Sequence, residues 1–380
     1  MNTKNFIGSI FLEKYKITKL IEKGGMDSEI YLAENLEYQD DTYFSQKHKY
    51  SAIKIIRKTH NTTSDHWNRI LDEGVTNARL NISDYVVKLY DFSVSHDNTT
   101  VILVLEYLDG PSLKKLIRDR GSLTPFESLS ILEKIVLGIK DMHQKDRIII
   151  HRDLKPENIL LSNDLLDVKI ADFGISSVVL KETENREILT NENSFFGTIP
   201  YVTPDLAKKH IINDKSFPII TKQYDFHALG VILYEMLVGD KPFEILDEND
   251  PKIIFYFKKY DITPLQKINS QIKDSIENIF LKLTASHDRD LHLRYNDADE
   301  ILHDIKNAMA DILTNSNEVK TLKPYLKRVY QKDLLIDFKK RFNFSKLFFK
   351  EKIFISFLFM SLIIFAIFVI VFTLAMVLKW

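Results

Sequence analysis

The stretch Ile148 to Leu161, I-I-I-H-R-D-L-K-P-E-N-I-L-L, constrains the fold more than any other part of the chain. Its polar centre, His151 to Asn158, is clasped between two short apolar runs, and a similar pattern follows in V168-K-I-A-D-F-G174. Apolar runs of this length bounding polar clusters are the mark of buried strands whose ends carry working loops. A bland solvated turn has no need of Asp153, Lys155, Asn158 and Asp172 together. For phosphoryl transfer the four form a coherent set: a carboxylate near the attacking hydroxyl, a cation for phosphate, and two oxygen ligands for a hard divalent metal.

The pattern along the chain places those loops. Residues 15–35 and 50–57 read as short strands joined by a polar connector, and V86-V-K-L-Y90 reads as another. Ser64 to Leu80 reads as a helix capped by Ser64 or Asp65, with Trp67, Ile70, Leu71, Val75 and Ala78 near helical spacing. Gly74 inside it costs about 1 kcal/mol relative to alanine. After V101-I-L-V-L-E-Y-L108 the pattern turns mainly helical. One helix start is explicit in T124-P-F-E127: a threonine cap, a proline in the first turn and a glutamate three residues on form a capping box. That helix then turns Leu129, Leu132, Ile135, Val136 and Ile139 inward. A strand-rich first hundred residues before a helix-rich two hundred predicts an α+β chain of two lobes with a cleft between them.

Composition narrows the classes. With no cysteine, the chain forms no disulfide, Cys-type zinc site or thiol nucleophile, in keeping with a reducing interior. The start, M1-N-T-K-N-F-I-G, has no apolar signal region, so no secretion is expected from it. Residues 339–352 carry six basic side chains and one acidic, and residues 353–378 carry no charge. Setting aside that +5 and Lys379 leaves the first 338 residues at −7 of the overall −1, which argues against a nucleic-acid partner.

The 26 uncharged residues from Ile353 to Leu378 exceed, at about 1.5 Å each, the roughly 30 Å of bilayer hydrocarbon. They are expected to form a transmembrane helix, with the lipid bilayer as a partner and 309–352 as a juxtamembrane linker. The basic stretch before the span expects a single-pass protein of the cell membrane, its body cytoplasmic and its C-terminus at or just beyond the outer face.

The ordered landmarks resemble the protein kinase superfamily, most closely the eukaryotic-type Ser/Thr kinases of bacteria, over about residues 10–308. The resemblance rests on A52-I-K54, Glu73, L105-E-Y-L108, H151-R-D153, D172-F-G174, F196-G-T198, T203-P-D205, D225-F-H-A-L-G230 and Arg294. It implies a bilobal kinase fold, with an N-lobe over about 10–108 and a C-lobe over about 109–308. ATP would lie among Ile21, Gly24, Gly25, Ile30, Ala52, Lys54, Glu106 and Leu108. Lys54 would hold the phosphates and pair with Glu73; Asp72 is adjacent, but Glu73 keeps the family spacing. Asp153 would act on the acceptor hydroxyl, Lys155 would neutralise the transferred phosphoryl group, and Asn158 and Asp172 would bind Mg²⁺ or Mn²⁺.

Lysine in H-R-D-L-K-P-E-N, with Thr198, resembles the Ser/Thr branch, so the implied substrates are proteins bearing serine or threonine. His151 and Asp225 are expected as framework, Asp225 accepting from catalytic-loop N–H groups. Arg152 would pair with a phosphorylated residue in the loop from Ile175 to Phe196, with Thr190 and Ser194 better placed than Ser176, Ser177 or Thr183. Autophosphorylation in trans would call on a homodimer. Many bacterial relatives carry an extracellular sensor after the span; here the sequence ends two residues after it, and none is expected.

Two departures stand out. By itself Gly24-Gly25 is either a plain turn or a phosphate-covering hairpin. With Lys54 as the strand lysine it becomes the hairpin, but Glu22 stands at the first glycine position and Asp27 or Ser28 at the third. Carboxylates about 6 Å from a triphosphate repel by roughly 0.7 to 3 kcal/mol if they point inward, a cost that Mg²⁺, Lys54 or an outward rotamer would offset, so the expectation is nucleotide binding that is weakened at worst rather than lost. Asp205 replaces the family glutamate that pairs with the arginine matched by Arg294. The alternative function is a scaffold that recruits partners at the membrane with little or no transfer; the presence of Lys54, Asp153, Asn158 and Asp172 weighs against it. A small-molecule kinase would not account for G197-T198 and the long segment before it.

Overall fold

The computed structural model describes residues 6–23, 28–38, 42, 48–59, 62, 64, 67, 68, 71, 83–144, 147–172, 177–180, 198–203, 221–242, 264–285 and 291–314. The expectations for Gly24, Gly25, Glu73, Thr190, Ser194, Asp205 and the span 353–378 lie outside these residues, as does most of the helix expected over 64–80. The chain divides into two units, Met1–Leu326 and Lys327–Trp380, and every described residue belongs to the first.

A six-stranded sheet opens the first unit. Its strands are β1 (Ile10–Phe11), β2 (Tyr15–Lys23), β3 (Ser28–Asn35), β4 (Tyr50–Arg57), β5 (Leu89–Val94) and β6 (Thr100–Glu106), in the order β1-β2-β3-β4-β6-β5. All neighbours are antiparallel. Burial in β3 alternates strictly, so Tyr31 and Ala33 face the core beside Tyr15, Ile17, Ile53, Ile55 and Val104. The other face gathers Ile56, Leu89, Val101 and Leu103 around Trp67, whose indole N–H donates to Asn98 at 3.1 Å. The run expected over 15–35 is thus two strands of a hairpin, and β4 spans 50–57 as read.

The strand expected over 86–90 starts later. Val87 N donates to Ile170 O and Ile170 N to Tyr85 O, both at 2.9 Å, so this backbone is committed to another strand and pairing with β6 begins only at Leu89.

The helical part begins with α1 (Leu113–Arg120) and α2 (Pro125–His143). The capping box is present: Thr124 Oγ1 accepts from Glu127 N at 3.2 Å, and Glu127 Oε2 accepts from Thr124 N at 3.0 Å. That hydrogen bonding, from the Thr124 side chain first, holds the Glu127 carboxyl below its usual range. Leu129, Leu132, Ile135, Val136 and Ile139 are all fully buried, as the spacing predicts. The hairpin β8 (Ile159–Leu161) and β9 (Val168–Ile170) follows the catalytic loop, and β7 (Arg147–Ile150) pairs with β10 (Ser177–Leu180).

Helix α3 (Gln223–Val238) is buried from Asp225 to Leu237, the pattern of a helix surrounded by packing on all faces. Against it and α2 pack α5 (Asp274–Thr284) and α6 (Ala298–Thr314), with the short α4 (Leu265–Ile268) beside α3. Helix α6 is buried along one side through Ala298, Ile301, Leu302, Ile305 and Ala308. Arg294 Nε donates to Ala285 O at 2.6 Å. Among the described residues no helix is long and apolar enough to cross a membrane.

Candidate active site

The sheet supplies the first cation. Lys54 lies in β4 opposite Ile30 of β3 and Leu103 of β6, and its Nζ donates to Asp172 Oδ1 at 3.1 Å. The lysine side chain is 13 % exposed and the aspartate 49 %, so the acid keeps an open flank beside the pair. Ala52, two residues before Lys54, sits opposite Leu105, and Glu106 closes β6. Beyond it Leu108 is half-buried, and Gly110 N donates to Leu161 O at 3.1 Å. A Cβ on Gly110 would lie 2.5 Å from that oxygen, so this close approach of the backbone to β8 requires glycine. Ile21 and Glu22 are exposed at the end of β2.

The catalytic loop supplies the second group. Asp153 Oδ2 accepts from Lys155 Nζ at 2.7 Å, and Oδ1 accepts from both Thr198 N at 2.9 Å and Thr198 Oγ1 at 2.6 Å. Lys155 Nζ also donates to Thr198 Oγ1 at 2.9 Å, closing a triangle of carboxylate, ammonium and hydroxyl. Asn158, in the 3-10 turn Pro156–Asn158, donates through Nδ2 to Asp153 O at 2.9 Å.

Backbone and histidine contacts make one assembly of the two groups. Ala171 N, next to Asp172, donates to Asn158 O at 2.9 Å. His151 Nδ1 accepts from Asp153 N at 3.3 Å, which leaves Nε2 to donate to Ala171 O at 3.1 Å. The imidazole therefore bridges the loop of Asp153 to the loop of Asp172 as a framework residue. Arg152 and Asp172 adopt φ values of 66° and 64°, a left-handed conformation costing roughly 1–2 kcal/mol each.

Asp225 offsets part of that cost. Fully buried at the start of α3, it accepts from His151 N at 3.1 Å, Arg152 N at 3.0 Å and His143 Nε2 at 2.9 Å. Burial pushes its pKa up, but the hydrogen bond from His143, the neighbouring imidazoles of His143 and His151 and the Arg152 N–H outweigh it, and the net displacement is downward. Just after Thr198, Tyr201 donates its hydroxyl to buried Glu235, whose carboxyl burial raises despite that bond and Lys114 at 3.5 Å.

Oxygen donors suited to a hard cation are in place. The Asn158 amide is oriented by its Nδ2 bond to Asp153 O, which reserves its oxygen as an acceptor, and Asp172 offers a half-exposed carboxylate. Among the described residues no group of three or more His, Cys, Asp or Glu could hold a metal. Two protein oxygens would leave the remaining positions of such a cation to phosphate and water.

Sequence reading missed two contacts. Thr198, read as regulatory, is bonded to both members of the catalytic pair. Lys169, to which the sequence assigned no role, is 5 % exposed and pairs with Glu106. The Thr198 contact crosses 45 residues, and no local signal announces it.

An assembly that joins a strand lysine and its aspartate to a loop carboxylate with its own lysine and a neighbouring asparagine defines the phosphotransferase class. Residues 42–348 match the protein kinase domain family, and the chain belongs to it. It is 36 % identical over 343 residues to a protein named as a serine/threonine-protein kinase in Mycoplasma genitalium, covering 86 % of each chain. A similarly named protein of Mycoplasma pneumoniae is 35 % identical over 362 residues, 87 % of this chain and 92 % of that one. Serine/threonine-protein kinase PrkC of Bacillus subtilis is 32 % identical over 302 residues, 80 % of this chain and 41 % of PrkC.

Proposed function

We propose that this chain transfers the γ-phosphoryl group of ATP to serine and threonine hydroxyls of proteins, itself included, while tethered to a membrane. The observation that carries the reading is the shared assembly in which Asp153 and Lys155 meet at Thr198 and connect through Asn158 and Ala171 to the Lys54–Asp172 pair. Asp153 orients the acceptor hydroxyl and receives its proton, and Lys155 draws charge from the transferred group. Lys54 grips the nucleotide phosphates. Mg²⁺ or Mn²⁺, held by Asn158 and Asp172, would neutralise the triphosphate. Complete machinery favours this reading over a scaffold.

The test is transfer from labelled ATP with Mg²⁺ to a general protein acceptor. Asp153→Asn should lower the rate at least about a hundredfold; equal rates for variant and wild type, with ATP still bound, would remove the assignment.

The regulatory and cellular parts rest on the sequence. Thr190 and Ser194 are proposed as autophosphorylation sites that pair with Arg152, modified in trans within a transient homodimer. Phosphopeptide mapping that finds neither residue modified in active protein would reject this. The tether is the apolar run 353–378 with its basic flank. Deleting 353–380 should release the protein into the soluble fraction, and unchanged fractionation would eliminate the anchor.

A further inference from the structure

An enclosed lysine–glutamate pair lies away from the catalytic carboxylate. Lys169 Nζ reaches Glu106 Oε1 at 2.8 Å and Oε2 at 2.9 Å, with the two side chains only 6 % and 10 % exposed. Glu106 is held a third way, because its Oε2 accepts from Lys88 N at 3.2 Å while its own N donates to Lys88 O at 2.8 Å. A cation bound to both oxygens of a carboxylate leaves that side chain one orientation, and the backbone bonds hold the main chain beside it.

The placement of this pair matters more than its strength. Glu106 ends β6 and lies opposite Ser51 of β4, three positions before Lys54, about 10 Å along the strand. On the facing hairpin, Lys169 lies three positions before Asp172. Two ion pairs therefore connect the six-stranded sheet to the β9 segment at matched spacing: Lys54–Asp172 at the phosphate end and Glu106–Lys169 at the other. Their polarity is opposite, since the sheet contributes the cation in one and the anion in the other. A buried ion pair adds little net stability over an apolar pair of equal volume, whereas it does define a single geometry.

We propose that Lys169 is a positioning residue for the nucleotide, acting through Glu106 to hold the β6 exit and Leu108 at the base end of the cleft. The inference rests on the kinase reading above and deepens it. Without Lys169, the Glu106 carboxylate seeks water and draws the strand end with it, so the base loses a prearranged edge. The loss falls on nucleotide affinity and KM for ATP more than on kcat, because Asp153 and Lys155 are held by separate contacts.

The full-length chain is titrated with a fluorescent ATP analogue in Mg²⁺, in parallel with the transfer assay and thermal melting. Lys169→Met alone leaves a buried unpaired carboxylate, so Lys169→Met with Glu106→Gln serves as the variant that keeps the fold. The expected result is an analogue Kd raised about tenfold or more, the size of one lost charge-assisted hydrogen bond, with the melting temperature retained and most of the kinetic loss in KM. Lys169→Arg, which keeps the charge and the paired donors, should return Kd to within about threefold of wild type. A folded double variant with unchanged Kd overturns the proposal, and so does an arginine variant as weak as the double variant. Wild type that binds the analogue but transfers no phosphate overturns the kinase reading instead, and a wild type that binds no analogue overturns both.

Discussion

Replacing Asp225 by asparagine should damage this protein more than most single changes, and the geometry sets the size of the effect. One carboxylate oxygen accepts from His151 N and His143 Nε2, and the other accepts from Arg152 N. Asparagine has one acceptor oxygen and one donor nitrogen, so in either orientation a buried N–H faces another donor. An unsatisfied buried donor costs about 1–3 kcal/mol, and the surviving bonds lose their charge assistance. Together these come to about 3–5 kcal/mol, the range seen when one member of a buried charged set is removed. For a domain of this size the melting temperature should fall by about 6–15 °C. Scanning calorimetry reads it directly.

The same experiment has a pH signature. The folded pKa of Asp225 lies below its ordinary value, so its stabilisation is fully present above the unfolded carboxylate pKa of about 3.9 and fades as pH falls through the lower folded value. The stability gap between wild type and Asp225→Asn should therefore be flat above about pH 5 and narrow below about pH 4. Transfer should fall too, because Arg152 owes its left-handed backbone to this acceptor and Asp153 comes next. A variant melting within about 2 °C of wild type would refute the argument that these three donors depend on one buried carboxylate.

Two further changes separate catalysis from stability. Thr198→Ala removes the hydroxyl shared by Asp153 and Lys155, so kcat should fall about tenfold to a hundredfold while Thr198→Ser stays near wild type; an alanine variant with wild-type turnover contradicts this. Thr124→Ala deletes an exposed cap far from the cleft in sequence, and should cost about 1 kcal/mol and about 2–4 °C with transfer unchanged, checked by paired melting and rate measurements.

What could be read before any coordinates was local. T124-P-F-E127 announces its helix because cap and partner are three residues apart. The β4 strand and the buried stripe of α2 were legible for the same reason, since periods of two and 3.6 residues are written in consecutive positions. Asp225 was readable as an acceptor only through the family landmarks around it. The strand expected over 86–90 was displaced because Tyr85 and Val87 bond to Ile170, a partner more than 80 residues away that no window contains.

By itself, then, the order of residues determined the chemistry available: which loop holds the acid and which strand holds the lysine. Tertiary structure alone decided the pairings. That Lys54 meets Asp172 across 118 residues, while Lys169 turns inward to Glu106 across 63, depends on strand register and on which face of a hairpin is covered. Alternation tells which lysines share a face, but burial of that face follows from the element packed against it, and a charge is driven to find its partner only once that packing has excluded water.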